Sequence, residues 1–269
     1  MLKKEFEKAF SLLKNNSPLV HHITNYVTAH ICADITLAIG ASPVMADAIE
    51  EVEEMVGMSS SLVINIGTLN ERTVKSMIKA GQKANKCGVP VILDPVGAGA
   101  TTFRYETTKK LIEKIDFTII KGNLSEIKTI GGLSTKSRGV DSIDMDSNSH
   151  NIGKELAKKL NCVIAITGQE DIISDGETTL VLKNGTSLLG SITGTGCMSA
   201  SLIGSFLGTG ISPLASASLA ILTMCISAEM AAKRLSKDCG SKSFKTYLID
   251  GIYNMDYDSI SKEMNVEYV

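Results

Sequence analysis

A glycine-rich turn near residue 195 carries the strongest chemical signal in this sequence. Gly194, Thr195 and Gly196 lie within a stretch from 184 to 228 that contains no charged residue. Glycines allow a backbone to approach a phosphate closely. The N–H groups at the start of a helix, together with the helix dipole, attract an anion. The pattern predicts an anion loop at 194–196, and a tight turn into a buried helix is the structural alternative.

Cys197 comes directly after this turn. A thiol at the N-terminus of a helix can have a lowered pKa, and the thiolate is the reactive form of cysteine. The structural alternative is a small buried side chain with no chemical role. The six cysteines show no spacing typical of a metal site, and a chain of 269 residues does not need disulfides, so we expect all six thiols to be free.

Two carboxylates follow apolar runs that have the composition of strands. Asp94 ends VPVILD and opens a glycine-containing turn, and Glu126 closes KGNLSE. Asp94 could hold Mg²⁺ through water, or it could cap a helix that starts near Thr101. Asn123 and Glu126 have the spacing of a variant capping box, which is the ordinary explanation of that pattern. A shared magnesium site requires the two strands to be neighbours.

The elements that would position these residues are short apolar runs that end in polar or glycine-containing turns. Most runs are continuous rather than alternating, which is typical of strands buried on both faces of a parallel sheet. Helical patterns lie between them, including one that Asn70 would cap. The strand-like runs are 17–24, 62–67, 89–95, 117–123, 162–168 and 178–185. The alternation predicts a layered α/β fold, and the hairpin-like spacing of the last runs predicts an antiparallel far edge.

The carboxyl ends of the strands are where open α/β sheets bind ligands. Polar residues stand at or just after the ends of four of the predicted strands: Asn25, Asp94, Lys121 and Thr167. One such residue would be ordinary capping chemistry. Because four strands end in this way, we predict a functional site along that edge of the sheet.

Composition narrows the possible partners. The 27 basic and 29 acidic residues nearly cancel, and the chain has six Phe, six Tyr and no Trp. We therefore expect no nucleic-acid partner and no membrane association. Residues 1–15 predict an amphipathic helix rather than a signal peptide. The uncharged stretch 184–228 predicts two buried helices rather than a membrane hairpin. We expect one cytoplasmic domain spanning 1–269, with the polar stretch 131–148 as a loop or lid.

Six motifs of this sequence resemble those of the hydroxyethylthiazole kinases, a family of the ribokinase-like superfamily. The motifs are HHITNYVT (21–28), ASPVMADA (41–48), DPVGAGAT (94–101), KGNLSE (121–126), the Thr-Gly pair at 167–168 and GTGCMSAS (194–201). They occur in the order expected for that family. Most ribokinase-like kinases carry Asp where this chain has Cys197, and cysteine is typical of the thiazole kinases. The resemblance implies a three-layer α/β fold, with a central, mostly parallel sheet flanked by helices.

The resemblance also implies an activity and roles for individual residues. The activity is transfer of the γ-phosphate of ATP to the primary alcohol of 4-methyl-5-(2-hydroxyethyl)thiazole, in thiamine biosynthesis and salvage. By similarity, Asn25, Met45 and Gly194 bind the thiazole, Lys121 and Thr167 bind ATP, Asp94 and Glu126 serve Mg²⁺, and Cys197 is the catalytic residue. Lys121 stands where the family has Arg or Lys. The family also implies a homotrimer whose thiazole site lies between subunits.

Two other functions are compatible with much of this pattern. Another ribokinase-like small-molecule kinase, such as a hydroxymethylpyrimidine kinase, would share the fold, but Cys197 in place of Asp argues against it. A non-catalytic protein that binds a nucleotide or a thiazole would keep the pocket without turnover. The presence of Asp94, Glu126 and Cys197 argues against that second alternative.

Overall fold

A sheet of nine strands runs through the computed structural model, which describes residues 2–133 and 149–269. The strands are β1 (Leu19–Ile23), β2 (Ser42–Met45), β3 (Ser61–Asn65), β4 (Val91–Asp94), β5 (Ile119–Asn123), β6 (Val163–Thr167), β7 (Asp171–Ser174), β8 (Thr179–Leu182) and β9 (Val266–Tyr268). Their order across the sheet is β2-β1-β3-β4-β5-β6-β7-β8-β9. Most of the predicted loop or lid at 131–148 falls outside the described residues, since 134–148 are not among them.

The direction of the strands follows from how they are connected. The strands from β2 to β6 in the sheet order run parallel, and a helix lies on each connection between them. The last three strands, β7, β8 and β9, each pair antiparallel with the neighbour before them. The predicted parallel sheet with an antiparallel far edge is therefore confirmed. The sequence does not predict β9, because its three residues are half-buried or exposed and show no periodicity.

Helices cover both faces of the sheet. Among the described residues they are α1 (Leu2–Asn16), α2 (Ala29–Ala38), α3 (Val52–Met58), α4 (Glu71–Cys87), α5 (Thr102–Lys114), α6 (Leu124–Ile130), α7 (Ser149–Leu160), α8 (Thr195–Leu207), α9 (Pro213–Lys233), α10 (Ser241–Tyr253) and α11 (Tyr257–Glu263). Helices α3 to α7 share one apolar core with the sheet, and α1, α2 and α8 to α11 share the other. This is the three-layer architecture that the sequence predicts.

The helix predictions hold in detail. The N-terminal helix α1 buries Phe6, Ala9 and Leu13 on one side. Helix α4 begins with a capping box in which Asn70 accepts a hydrogen bond from the backbone of Thr73. The uncharged stretch forms α8 and α9, both mostly buried. Helix α9 is long and apolar enough to cross a membrane, but 83% of its most apolar window is buried inside the fold, as expected of a core helix.

Helix α8 lies unusually close to the sheet. A Cβ atom on Gly204 would come within 2.7 Å of Val63 Cγ2 and 2.9 Å of Val20 Cγ1. The Ser61 hydroxyl, at the start of β3, donates a hydrogen bond of 2.8 Å to the Gly204 carbonyl. The other end of the helix lies against the last residue of β3, described below. Helix α8 is therefore antiparallel to the strands, and its N-terminus lies over their carboxyl ends.

Candidate active site

The carboxyl ends of the parallel strands bring the predicted site residues together. Asn65, the last residue of β3, pairs in register with Asp94, the last residue of β4. Lys121 lies in β5 and Thr167 ends β6. Asn25 follows β1 by two residues. Because these strands are neighbours, the five residues lie together at the carboxyl ends of the strands, as predicted.

Asn65 is the centre of a buried hydrogen-bond network that the sequence analysis missed. Its Nδ2 donates to Asp94 Oδ2 at 2.6 Å and to Cys197 Sγ at 3.3 Å. Its Oδ1 accepts from Asn25 Nδ2 at 2.9 Å and from the Gly67 N–H at 2.9 Å. Because the Gly67 N–H group can only donate, Asn65 Oδ1 must face it, and the orientation of the Asn65 amide is fixed. The signal was available, since Asn65 is a polar residue at the end of a buried run.

Cys197 accepts two hydrogen bonds from this network, one of them from Asn65. Its sulfur accepts a second hydrogen bond, of 3.4 Å, from Asn25 Nδ2. Only 8% of Cys197 is exposed. Burial, and then the nearby Asp94 carboxylate, raise the pKa of the Cys197 thiol. The prediction of a lowered pKa is therefore wrong, because desolvation outweighs the effect of the helix N-terminus.

Lys121 links the two sides of the site. The buried ammonium lies 3.7 Å from Asp94 Oδ1 and donates a hydrogen bond of 3.1 Å to the Gly196 carbonyl. A Cβ atom on Gly196 would come within 2.9 Å of the Lys121 Nζ atom. A side chain at 196 would displace the ammonium, so glycine lets the lysine reach the carbonyl of the turn. The positive charge of Lys121 lies between a carboxylate and the start of α8, where an anion would be attracted.

The predicted anion loop is a left-handed turn into α8. Gly194 is the N-cap residue with φ of +93°, and no side chain caps the helix. A Cβ atom at Gly194 would also come within 2.9 Å of Thr28 Cγ2. Both the positive φ and the close contact favour glycine. The first turn of α8, without a capping side chain, therefore presents N–H groups that can bind an anion.

Glu126 has the structural role that its spacing indicates. Its two carboxylate oxygens accept hydrogen bonds of 2.8 Å from the backbone N–H groups of Gly97 and Asn123. Asn123 Oδ1 accepts from the Glu126 N–H at 2.9 Å, which completes a capping box at the start of α6. Burial raises the pKa of Glu126. The carboxylate holds the Gly97 turn against α6 and keeps lone pairs for a further ligand.

Asp94 does not cap the next helix. The N-cap of α5 is Thr101, whose hydroxyl accepts a hydrogen bond from the Arg104 N–H. Asp94 instead faces Asn65 and Lys121. The described residues contain no group of three His, Cys, Asp or Glu side chains that could hold a metal. The carboxylate oxygens of Asp94 and Glu126 are hard ligands that suit Mg²⁺, which keeps several waters and is commonly shared with phosphates.

A cavity of about 630 Å³, here called the β6–α8 pocket, opens beside this network. It lies between the turn after β6, the start of α8, the segment after β8 and helix α9. Its lining includes Thr167, Gly168, Asp171, Asn184, Gly185, Thr186, Thr195, Gly196, Ile221, Met224 and Cys225. The pocket therefore joins the anion loop to a partly aliphatic wall, and its size suits a small organic ligand.

Asp171 is a second residue that the sequence analysis missed. Its Oδ1 accepts a hydrogen bond of 3.0 Å from the Gly168 N–H, and the Cys225 thiol donates to Oδ2 at 3.4 Å. Burial raises the pKa of Asp171 to about 6. The carboxylate fixes the turn that follows Thr167 at the wall of the β6–α8 pocket.

The predicted thiazole-binding residues lie on the β1–β2 side of the same edge. Asn25 contacts Cys197, and Gly194 packs near Thr28. Met45 pairs in register with His22, on the strand that leads to Asn25, and 39% of Met45 is exposed. Asn25 and Met45 belong to the β1–β2 side of the sheet, whereas the β6–α8 pocket lies beside β6, and Asn65, which contacts Cys197, ends β3 between them. The arrangement can hold two ligands that meet at the start of α8.

Comparisons with known proteins show the family of this chain. The model of the hydroxyethylthiazole kinase family matches residues 10–258. The hydroxyethylthiazole kinase of Alkaliphilus oremlandii is 52% identical over 269 residues, which cover 100% of this chain and 99% of that protein.

Solved structures give the same result for the fold. A hydroxyethylthiazole kinase protein from Pyrococcus horikoshii superposes with a TM-score of 0.89 at 38% identity, with 99% of each chain covered. A ribokinase-like superfamily protein from Enterococcus faecalis superposes with a TM-score of 0.61 at 15% identity, covering 93% of this chain and 94% of that one, and shares the fold. The family match, the relative at 52% identity and the site geometry lead to one conclusion: this chain belongs to the hydroxyethylthiazole kinase family.

Proposed function

We propose that this protein transfers the γ-phosphoryl group of ATP to the primary alcohol of 4-methyl-5-(2-hydroxyethyl)thiazole, in thiamine biosynthesis and salvage. The observation that carries the proposal is the position of Cys197. Its sulfur lies at the start of α8, hydrogen-bonded by Asn25 and Asn65, beside the Gly194–Gly196 turn. A proton acceptor and an anion site therefore meet at one point, as phosphoryl transfer to an alcohol requires.

The proposed reaction uses the two sides of the site separately. Asn25, Met45 and Gly194 bind the thiazole alcohol, and the β6–α8 pocket, with Thr167 and Lys121, binds ATP. The alcohol oxygen forms a bond to the γ-phosphorus while the bond from that phosphorus to the β–γ bridging oxygen breaks, and ADP leaves. The alcohol proton passes to the thiolate form of Cys197, which becomes the thiol. Burial keeps most of Cys197 protonated, so only a small thiolate fraction takes part, and a loose transition state needs only this weak assistance late in the reaction.

The charge of the transferring group is stabilised by fixed dipoles and one lysine. The N–H groups of the first turn of α8 point at the phosphoryl oxygens, and Lys121 adds a positive charge held in place by Asp94 and Gly196. We propose that Asp94 and Glu126 hold Mg²⁺, partly through water. The ion, when bound, neutralises phosphate charge.

We propose a homotrimer of single-domain kinases that works in the cytoplasm. Exposed apolar side chains concentrate between residues 26 and 58, the segment that leads from β1 to β3 and forms the β2 edge of the sheet. They are Tyr26, Val27, Leu37, Met45 and Met58. Exposed apolar side chains that gather in one segment are a feature of protein–protein interfaces. Because Asn25 and Met45 belong to the same segment, the partner subunit would complete the thiazole site.

The test of the proposed activity is a coupled assay of ADP release from MgATP. We expect ADP release only when the thiazole alcohol is present, because both ligands must meet at the start of α8. Hydroxymethylpyrimidine serves as the competing acceptor. Equal ADP release with the pyrimidine would assign the protein to another kinase activity, and binding of both ligands without ADP release would make it a binding protein.

The metal proposal has its own test. Asp94→Asn and Glu126→Gln each replace one charged ligand, so we expect half-maximal activity to need about 10–100-fold more Mg²⁺. Asp116→Asn, at the other end of the sheet, is the control for loss of one carboxylate. A magnesium dependence equal to that of the wild type in both site variants would leave Glu126 as a helix cap and Asp94 as the partner of Lys121.

A further inference from the structure

One wall of the β6–α8 pocket is formed by the segment directly after β8, and hydrogen bonds from the C-terminal segment hold this wall in place. Residues 184–187 line the pocket directly after this strand. Asn184 is buried, and its Oδ1 accepts a hydrogen bond of 2.7 Å from the Asn265 N–H. Its Nδ2 donates to the Glu263 carbonyl at 3.0 Å. The Lys183 N–H donates to the Asn265 carbonyl at 3.0 Å, so three hydrogen bonds join residues 183 and 184 to the segment before β9.

The orientation of the Asn184 amide follows from these partners. A backbone N–H can only donate and a backbone carbonyl can only accept. Oδ1 must therefore face Asn265, and Nδ2 must face Glu263. The side chain has one arrangement that satisfies both groups, and this arrangement exists only when the C-terminal segment pairs with β8.

Helix α9 holds the same turn from the other side. Glu229 Oε1 accepts a hydrogen bond of 2.6 Å from the Gly185 N–H, and both of its carboxylate oxygens lie 3.4 Å from Asn184 Nδ2. Gly185 has φ of +138°, where a side chain would be strained. The same helix supplies Ile221, Met224 and Cys225 to the pocket. The turn at 184–185 is thus fixed between α9 and the C-terminus.

We propose that residues 263–268 act as a positioning element for nucleotide binding, through Asn184. The inference rests on the proposed use of the β6–α8 pocket by ATP. A turn that is already held in its bound conformation loses little conformational freedom when the ligand binds, and a turn without these bonds must be ordered at the expense of affinity. The segment lies beyond residue 258, where the match to the family model ends.

Two point variants remove the connection from opposite sides. Asn184→Ala removes both side-chain bonds. Asn265→Pro removes the N–H that Asn184 accepts and keeps the Asn184 side chain. Met264, which would precede the proline, has φ of −65° and ψ of 133°, the conformation that a residue before proline adopts. We expect each variant to raise the Kd of MgADP about 3–10-fold, since one or two net hydrogen bonds are lost.

A matched control separates this effect from a general loss of structure. Glu267→Ala removes the ion pair of 2.6 Å with Lys183 on the same pair of strands and touches no residue of the pocket. This change should not raise the Kd of MgADP more than about twofold. In Asn184→Ala and Asn265→Pro, the KM for ATP should rise while kcat and the Kd of the thiazole alcohol stay within about twofold.

Calorimetric titration of the full chain with MgADP, and separately with the thiazole alcohol, gives the decisive result. An unchanged Kd for MgADP in the folded Asn184→Ala or Asn265→Pro protein overturns the inference. An equal loss of affinity for both ligands also overturns it, because the effect is then global. If the wild-type protein binds no MgADP, the proposed function fails instead, and the two failures are distinguishable.

Discussion

Cys197 is a residue whose position can be read from the sequence and whose chemistry cannot. Its place after a Gly-x-Gly turn predicts the start of a helix, which the structure confirms. Its pKa depends on how many atoms from distant parts of the chain surround it, and on Asp94, which is over a hundred residues away. The position of Asn65 at the end of a buried run marks it as a candidate in the sequence. Its contact with Asp94 can be assigned only when β3 and β4 are known to be neighbours.

We expect Cys197→Ala to lower kcat about 10²–10⁴-fold with a smaller change in KM, because a proton acceptor acts mainly in the transition state. The thiol should also be slow to react with iodoacetamide, since burial raises its pKa. Cys87 is exposed, and hydrogen bonds lower the pKa of Cys239, so these two should be alkylated first.

Peptide mapping by mass spectrometry after brief treatment measures the order of alkylation, and initial rates measure kcat. Cys87→Ala is the matched control for loss of a thiol and should keep full activity. Full activity in Cys197→Ala would remove the thiol from the mechanism and leave the anion loop to act alone.

Asp171 should make stability depend on pH. Burial raises its pKa in the folded protein from 3.8 to about 6. The folded chain therefore keeps a proton that the unfolded chain loses, so this residue's contribution to the free energy of unfolding falls as pH rises from about 4 to about 6. The difference of about two pKa units corresponds to roughly 3 kcal/mol.

Asp171→Asn removes this penalty and keeps an oxygen for the Gly168 N–H. We expect the Tm of the variant to be close to that of the wild type at pH 4 and several degrees higher at pH 7. Thermal unfolding followed by circular dichroism across this range is the measurement. Asp175→Asn, an exposed neighbour, should show no such trend, and a Tm difference independent of pH would contradict the assigned pKa.

At the scale of elements, α8 shows how local sequence and tertiary contact combine. The glycines at 194 and 196 predict a turn from sequence alone. The reason that glycine suits position 196 is tertiary, because Lys121 from β5 reaches its carbonyl. Similarly, Asn123 and Glu126 predict a capping box, which is present. The contact of Glu126 with Gly97 depends on the packing of the turn after β4 and could not be predicted.

Gly196→Ala tests this close approach. A Cβ atom at this position lies 2.9 Å from Lys121 Nζ, so the ammonium must move away from the Gly196 carbonyl. We expect kcat/KM to fall at least tenfold, because Lys121 and the first turn of α8 bind the same phosphate. Alanine is a good helix former, so the Tm should change by only a few degrees.

Gly240→Ala is the control, since Gly240 does not line the pocket and nothing lies within 4 Å of the added atom. Steady-state kinetics with both substrates varied give the comparison. Activity of Gly196→Ala within twofold of the wild type would show that Lys121 does not need its contact with the turn.

At the scale of the whole molecule, the two edge strands of the sheet differ in their surroundings. The far edge is closed by β9, whose pairing with β8 the sequence did not predict. The β2 edge carries the exposed apolar side chains from 26 to 58. Sequence patterns predict which elements exist. The exposure of Leu37 in α2 or Met58 in α3 depends on which other elements cover each helix. The position of a partner subunit cannot be read from local hydrophobic periodicity.

If the β2 edge is the subunit interface, a charge within it should dissociate the oligomer. We expect the wild type to sediment as a trimer and Leu37→Asp, which places an unpaired charge in an apolar interface, to sediment as a smaller species. Tyr253→Asp, at another exposed apolar position on α10 outside this segment, is the control. Sedimentation velocity measures both. A trimer that persists in Leu37→Asp would move the interface elsewhere, and a monomeric wild type would end the trimer proposal.

The contacts of α1 have a consequence for synthesis on the ribosome. This helix packs against α8, α9 and α11, which emerge from the ribosome after it. Until residue 207 has left the exit tunnel, one face of β1, β3 and β4 also lacks its cover. The nascent chain therefore carries an unburied apolar sheet face until α8 has emerged. Fragments that stop before 194 should be captured by chaperones or precipitate.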